Sequence, residues 1–369
     1  MITNMVLTID LDALAANYRA IRDQVAPAHV AGVVKADGYG LGSIPVVRTL
    51  LAQGCQHFFV AMLGEAEALM PVIDGAATLY VLNGLLPGTE KTFAQLGARP
   101  VLNSLDQVQR WSALARSTGK RLPAALQVDS GMSRLGLPSE EVEMLLGRPD
   151  LLADIELHLL MSHLACADEP NDPANADQAA RFLALAKHFP GVPLALDNSG
   201  GAFLPRGHFD LVRAGIALYG GAPLAKANPM RPVISLTAPI AQLRVIPAGA
   251  GVGYGLTYHA SRSMRLATIP MGYADGWPRC LSNRGAAYIA GRRVPIIGRV
   301  SMDSLTIDVT DIPDVHLYEG APVELIGPHQ SLDQVAADAG TISYEILTQL
   351  SHRYERIYLP ARDLDRSMF

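Results

Sequence analysis

Val33-Val34-Lys35-Ala36-Asp37-Gly38-Tyr39-Gly40-Leu41-Gly42 joins an apolar run at 30–35 to a helical stretch at 44–52. The β-branched run reads as a buried strand, and the glycines read as the loop that leaves it. The same strand–loop–helix unit then recurs. Further apolar runs lie at 57–60, 78–82, 99–102, 123–128, 155–161, 192–196 and 210–213. Helical patterns fall between them at 64–72, 104–117, 139–146 and 177–188. Such alternation argues for a parallel sheet. Eight strands within little more than 200 residues fit a closed β/α barrel. An open doubly wound sheet is the rival, but no G-x-G-x-x-G follows the first good strand.

Outside this region the pattern changes. Residues 5–9 read as a strand, with Asp10 as N-cap of the helix that follows. From 233 onward, β-branched runs recur between Gly and Pro turns, at 236–245, 265–269, 286–289, 294–300, 305–309 and 323–326. They predict an antiparallel β domain closed by helices at 332–339 and 344–353. The expected division is a barrel over 1–228 and a β-rich domain over 229–369, with residues 1–9 packing on the latter.

The 369 residues are 49% hydrophobic and carry a net charge of -5. A chain of this balance buries a large core, and its acidity argues against nucleic acid as a partner. No apolar run is long enough to span a membrane. Cys55, Cys166 and Cys280 are odd in number and widely spaced, so neither a disulfide frame nor a metal site is expected. His158 and His163 sit five apart on one strand and face opposite sides, which removes a metal pair. A cytoplasmic location is the expectation.

A barrel places its chemistry at the C-terminal ends of its strands. Lys35, Asp129 to Arg134, His163, Asn198-Ser199 and Arg213-Ala214-Gly215 all fall there. A lysine at the mouth of a buried strand loses hydration, which lowers its pKa and fits it to form a Schiff base. The glycines after it let backbone amides approach an anion. An aldehyde with a phosphate, as in pyridoxal phosphate, matches both features. Taken alone, the segment reads equally well as an exposed lysine beside a turn; the gathering of reactive residues on one rim favours the first reading.

The block from Val33 to Gly42 resembles the lysine signature of the alanine racemases. So do Val128 to Gly136, Ser162-His163-Leu164-Ala165, Asn198-Ser199 and Arg213 to Gly220. The likeness continues through Gly253-Tyr254-Gly255, Pro270 to Gly276, Gly298 to Asp303 and Tyr344-Glu345. It implies pyridoxal phosphate held by Lys35, and two bases, Lys35 and Tyr254, on opposite faces of the substrate. It further implies cofactor contacts from Tyr39, His163, Ser199, Arg213, Gly215, Ile216 and Tyr344. The substrate carboxylate falls to Arg134, with Met302, Tyr273 and Asp303 completing the pocket. Arg213 would face the pyridine nitrogen, where a guanidinium, having only donors, leaves that nitrogen unprotonated. A head-to-tail homodimer is implied, each site completed by the partner's β domain, with interconversion of L- and D-alanine for peptidoglycan as the activity.

Rival readings are a serine or broad amino-acid racemase, a decarboxylase of related fold, and a non-catalytic pyridoxal-phosphate-binding protein. Tyr254 and the second domain argue against the last. One position departs from the family pattern. Many members carry a carbamylated lysine two residues before the Asp of the Asp-Ser-Gly-Met block, and here it is Gln127. The Gln127 amide oxygen is expected to accept from Arg134 in its place. Activity should therefore be unchanged by degassing and by added bicarbonate; recovery of lost activity on adding bicarbonate would contradict this.

Overall fold

The computed structural model describes residues 5–225 and 228–360. The outermost termini of the domains anticipated above, 1–4 and 361–369, lie outside the described residues. The chain divides into two compact units. One comprises residues 15–218 and 222–229; the other takes the N-terminal residues up to 14, residues 219–221 and everything from 230.

Within the described residues, the first unit is built on an eight-stranded parallel sheet. The N-terminal strand β1 (Val6–Asp10) belongs to the other unit. The parallel strands are β2 (His29–Val33), β3 (His57–Val60), β4 (Thr78–Val81), β5 (Arg99–Leu102), β6 (Leu122–Gln127), β7 (Ile155–Met161), β8 (Leu194–Ala195) and β9 (Leu211–Ala214). Their order runs from β8 back to β2 and then to β9, so first and last strands pair and the sheet curls into a nearly closed barrel. Across the remaining seam the Arg213 amide donates to the Asp197 carbonyl at 2.9 Å.

Local chemistry sets the helices around it. Asp10 Oδ1 accepts the Ala13 amide at 2.8 Å, capping the helix Leu11–Val25 as anticipated. Gly32 lets the helix Ser43–Ala52 lie against the sheet, since a Cβ there would stand 2.7 Å from Leu50 Cδ1. The helix Pro173–Ala186 begins four residues before the periodic pattern indicated. Asp172 caps it and Pro173 occupies its first turn, a start signal independent of apolar spacing.

The second unit holds a nine-stranded sheet among the described residues, in the order β11-β14-β17-β16-β15-β18-β10-β1-β19. Its members are β10 (Ile234–Pro239), β11 (Gln242–Ile246), β14 (Met264–Ile269), β15 (Ala286–Ile289), β16 (Arg292–Ile297), β17 (Leu305–Asp308), β18 (Pro322–Ile326) and β19 (Glu355–Leu359). A separate hairpin pairs β12 (Gly251–Val252) with β13 (Tyr258–His259). The run at 236–245 is two strands, because the chain changes partner: the Ile240 amide still donates to the Ala321 carbonyl beside β18 at 2.9 Å, and the Ala241 amide donates to Thr268 of β14 at 2.8 Å. The sheet is not wholly antiparallel: β1 pairs parallel to β19, a strand the pattern did not reveal. It is the edge strand of the sheet, and its Ile357 and Leu359 side chains are exposed.

Candidate active site

Strand β2 ends at Val33, and Lys35 opens a turn of left-handed backbone rather than ending the strand. Ala36 (φ 51°, ψ 49°), Asp37 (52°, 50°) and Gly38 (63°, 45°) are followed by Tyr39 at φ 57°. Left-handed backbone costs on the order of 1–2 kcal/mol for each non-glycine residue. Local bonds hold it: Gly38 N to Val34 O at 2.9 Å, Gly40 N to Ala36 O at 2.7 Å and Gly42 N to Asp37 O at 2.9 Å. Asp37 Oδ1 also accepts Ser43 N at 2.8 Å and Ser43 Oγ at 3.0 Å. The turn brings Lys35 out at the barrel mouth and folds Tyr39 back into the core.

Burial is the main force that lowers the Lys35 amine below the ordinary lysine value. The Arg134 charge lowers it further, and Glu65 opposes both. An amine so placed sheds its proton more readily than one in water.

On the neighbouring strand β9, in register with Ala31 of β2, Arg213 is 3% exposed. It donates to the carbonyls of Ala195 (3.0 Å), Ser162 (2.6 Å) and Leu196 (3.2 Å). It also lies 3.2 Å from His163 Nδ1. A guanidinium has no acceptor, so that nitrogen accepts and the His163 proton sits on Nε2. Burial, then the charges of Arg213, Arg134 and Lys35, push the His163 pKa down to about 3. Burial likewise brings Arg213 down to about 10, with Asp197 pulling the other way.

A cradle for an anion lies beside them. Ser199 Oγ accepts the amides of Gly215 at 2.8 Å and Ala217 at 3.3 Å. The Tyr39 hydroxyl lies so close to Gly215 that a Cβ there would overlap it. Two hydroxyls and backbone amides at the start of the turn Ile216–Tyr219 suit a phosphate dianion. A desolvated lysine for the aldehyde and this cradle for the phosphate fit pyridoxal phosphate.

Gln127 does not take the position expected of it. Its Nε2 donates to the Leu135 carbonyl at 3.1 Å, and among the described residues nothing pairs it with the exposed Arg134. It steadies the backbone next to Arg134 rather than the guanidinium itself.

The remaining residues belong to the second unit. Tyr254 opens a short 3-10 turn, Tyr254–Leu256, between Gly253 (φ 70°) and Gly255 (φ 71°), and is 72% exposed. It borders a cleft of about 510 Å³ with Arg244, Arg299 and Ser301. Met302 is 54% exposed, and among the described residues its amide donates to nothing. Tyr273 and Tyr344 are exposed as well. Asp303 is not a free lining group. Arg353 Nη1 donates to it at 2.7 Å and reaches the buried Asp275 at 3.2 Å. No pattern of spacing pointed to that bridge, nor to Glu65, whose carboxylate accepts the Ala36 amide. For Glu65 only its place in the first turn of a helix was readable.

Comparison with known proteins agrees with this geometry. Residues 9–223 match the family described as alanine racemase, N-terminal domain, and residues 233–358 its C-terminal domain. A protein named alanine racemase from Brucella canis is 53% identical over 96% of this chain and 93% of its own length. One named alanine racemase, catabolic, from Rhizobium johnstonii is 52% identical over 95% and 94%. The crystal structure of alanine racemase from Bartonella henselae with covalently bound pyridoxal phosphate has a TM-score of 0.93. It is 42% identical, over 96% of this chain and 99% of that one.

Two outcomes are expected. Gly215→Ala must displace the buried Tyr39 ring, so pyridoxal phosphate affinity should fall by at least tenfold in protein that still folds, with some loss of melting temperature; unchanged affinity would refute the cradle. His163 is neutral when folded and protonates at about 6.5 when unfolded, so its stabilisation is complete above pH 6.5 and is lost as pH falls toward 3. His57, driven down to about 4, acts in the same direction. Denaturant midpoints at pH 7 and pH 5 should therefore differ less in His163→Gln than in the unaltered protein, and equal differences would count against the assignment. By its sequence, its two matched domains and its fold, the chain belongs to the pyridoxal phosphate-dependent alanine racemase family.

Proposed function

We propose that the protein interconverts L- and D-alanine with Lys35 and Tyr254 as the two bases, acting in the cytoplasm and supplying D-alanine for peptidoglycan. The observation that carries this reading is the desolvated Lys35 amine at the barrel mouth, beside the Arg134 charge. Pyridoxal phosphate, when bound, supplies a conjugated ring that accepts the electron pair released at the substrate's α-carbon.

The chain's own residues supply position and protons. Lys35 anchors the cofactor, and the hydroxyls of Tyr39, Ser199 and Tyr344 with the amides of Gly215 and Ile216 hold its phosphate. Arg213 donates to the pyridine nitrogen, and His163, kept neutral, adds no charge beside it. Arg134 binds the substrate carboxylate, helped by the Met302 amide. Two well-placed bases avoid turning the substrate over: one takes the α-proton from its face and the other returns a proton on the opposite face. Lys35 Nζ serves one face and Tyr254 Oη the other.

The Tyr254 turn is solvent-exposed and flanked by glycines, which suits a group that reaches into the barrel of a partner copy. A head-to-tail homodimer follows, with Tyr273 and Met302 narrowing the partner's pocket. The Arg353 bridge assigns Asp303 to holding that loop. Alanine is the substrate this reading commits to, with serine as the second to be assayed.

Purified holoenzyme offered single L-amino acids should form D-alanine fastest. Tyr254→Phe and Lys35→Ala should each lose at least about 100-fold in conversion. Tyr254→Phe should still exchange the α-proton of one enantiomer with deuterated water, through Lys35. Full conversion by either variant, or faster turnover of serine than of alanine, would overturn the assignment. Deletion of the gene should leave cells dependent on added D-alanine for wall synthesis; growth without it would refute the peptidoglycan role.

A further inference from the structure

The strained turn after β2 is clasped from outside by one carboxylate. Glu65, in the first turn of the helix Leu63–Ile73, divides its two oxygens. Oε2 accepts the amides of Ala61 at 2.7 Å and Met62 at 3.0 Å, which caps its own helix. Oε1 accepts the Ala36 amide at 2.6 Å, across 29 residues of sequence. Helix capping accounts for the first oxygen only. The second ties the loop after β3 to the residue next to Lys35.

We propose that Glu65 is a positioning residue for Lys35: its bond to the Ala36 amide fixes the left-handed turn and thereby the direction in which Lys35 Nζ leaves the barrel wall. This rests on the reading of Lys35 as cofactor anchor and base. The turn begins at Ala36, so the orientation of that peptide plane sets the path of the side chain one residue earlier. Asp37 clips the far side of the same turn through Ser43. The two carboxylates hold opposite ends of a backbone that does not favour this conformation.

Charge adds to geometry. The groups acting on Lys35 are Arg134 from the loop after β6 and Glu65 from the helix after β3, while His163 at the end of β7 is neutral. Glu65 is the acid that offsets Arg134. Its removal leaves the Lys35 amine lower still.

Glu65→Gln tests this, because an amide offers one acceptor oxygen where three backbone donors now share two. Three readouts are taken on the holoenzyme. Amide exchange over 36–40 should rise at least tenfold. The value of kcat should fall about 10- to 100-fold with KM within about threefold, as misplacement of a reacting group predicts. The acid limb of the kcat profile should move to lower pH. Asp37→Ala should reproduce the exchange and kcat effects while leaving exchange at Ala61 and Met62 unchanged, and it decides alone if the glutamine variant does not fold. Faster exchange confined to Ala61 and Met62, or an unaltered kcat in Asp37→Ala, overturns the proposal. Lys35→Ala separates the two readings: retained racemisation would remove the role of Lys35, whereas the exchange result at 36–40 reports on the clasp of the turn and not on the chemistry of Lys35.

Discussion

The desolvation of the Lys35 amine is the constraint on which the rest of the site depends. A lysine in water holds its proton too tightly to attack an aldehyde or act as a base near neutral pH. Burial at the mouth of the barrel loosens that proton, and the Arg134 charge loosens it further. The barrel accomplishes this through its backbone. Strand β2 stops at Val33, and the chain turns through left-handed conformations that a free peptide avoids. The reactive group is thus presented by a segment that depends on Glu65, Asp37 and the glycines to exist at all.

A second constraint is electrical. Arg213 and Arg134 both act on His163, and Lys35 adds its own charge. A protonated imidazole there would stand among three cations. The site resolves this by leaving His163 neutral, with Nδ1 accepting from Arg213. Arg213 in turn hydrogen-bonds carbonyls and, among the described residues, no carboxylate, although the Asp197 charge acts on it. Its charge is therefore directed at whatever lies before it, instead of being spent on an ion pair.

Much of the barrel was legible in the sequence, because buried parallel strands are short apolar runs and their lengths are set by the sheet. The runs at 57–60, 99–102 and 155–161 coincide with β3, β5 and β7. What escaped was written in other terms. The edge strand β19 is a short stretch whose Ile357 and Leu359 stay exposed, and the break between β10 and β11 is a change of partner strand, from β18 to β14. The start of the helix at Pro173 is a capping signal. In the site, the reactive residues stood out by type and by their place on one rim. Glu65 and the Asp303–Arg353–Asp275 bridge did not, since each joins residues far apart in sequence through side-chain contacts that no spacing encodes, and the Gln127 side chain takes the nearby Leu135 carbonyl instead of Arg134.

The central claim is that an amine from one copy's barrel and a phenol from another copy's β domain share one substrate. Mixing the two inactive proteins, Lys35→Ala and Tyr254→Phe, under conditions that exchange subunits tests it most directly. Random pairing makes half of the dimers mixed, and one of the two sites in each then contains both bases, so about one quarter of full activity should return. If the mixture stays inactive while mixed dimers are demonstrably present, the two bases do not come from different copies and the account is wrong.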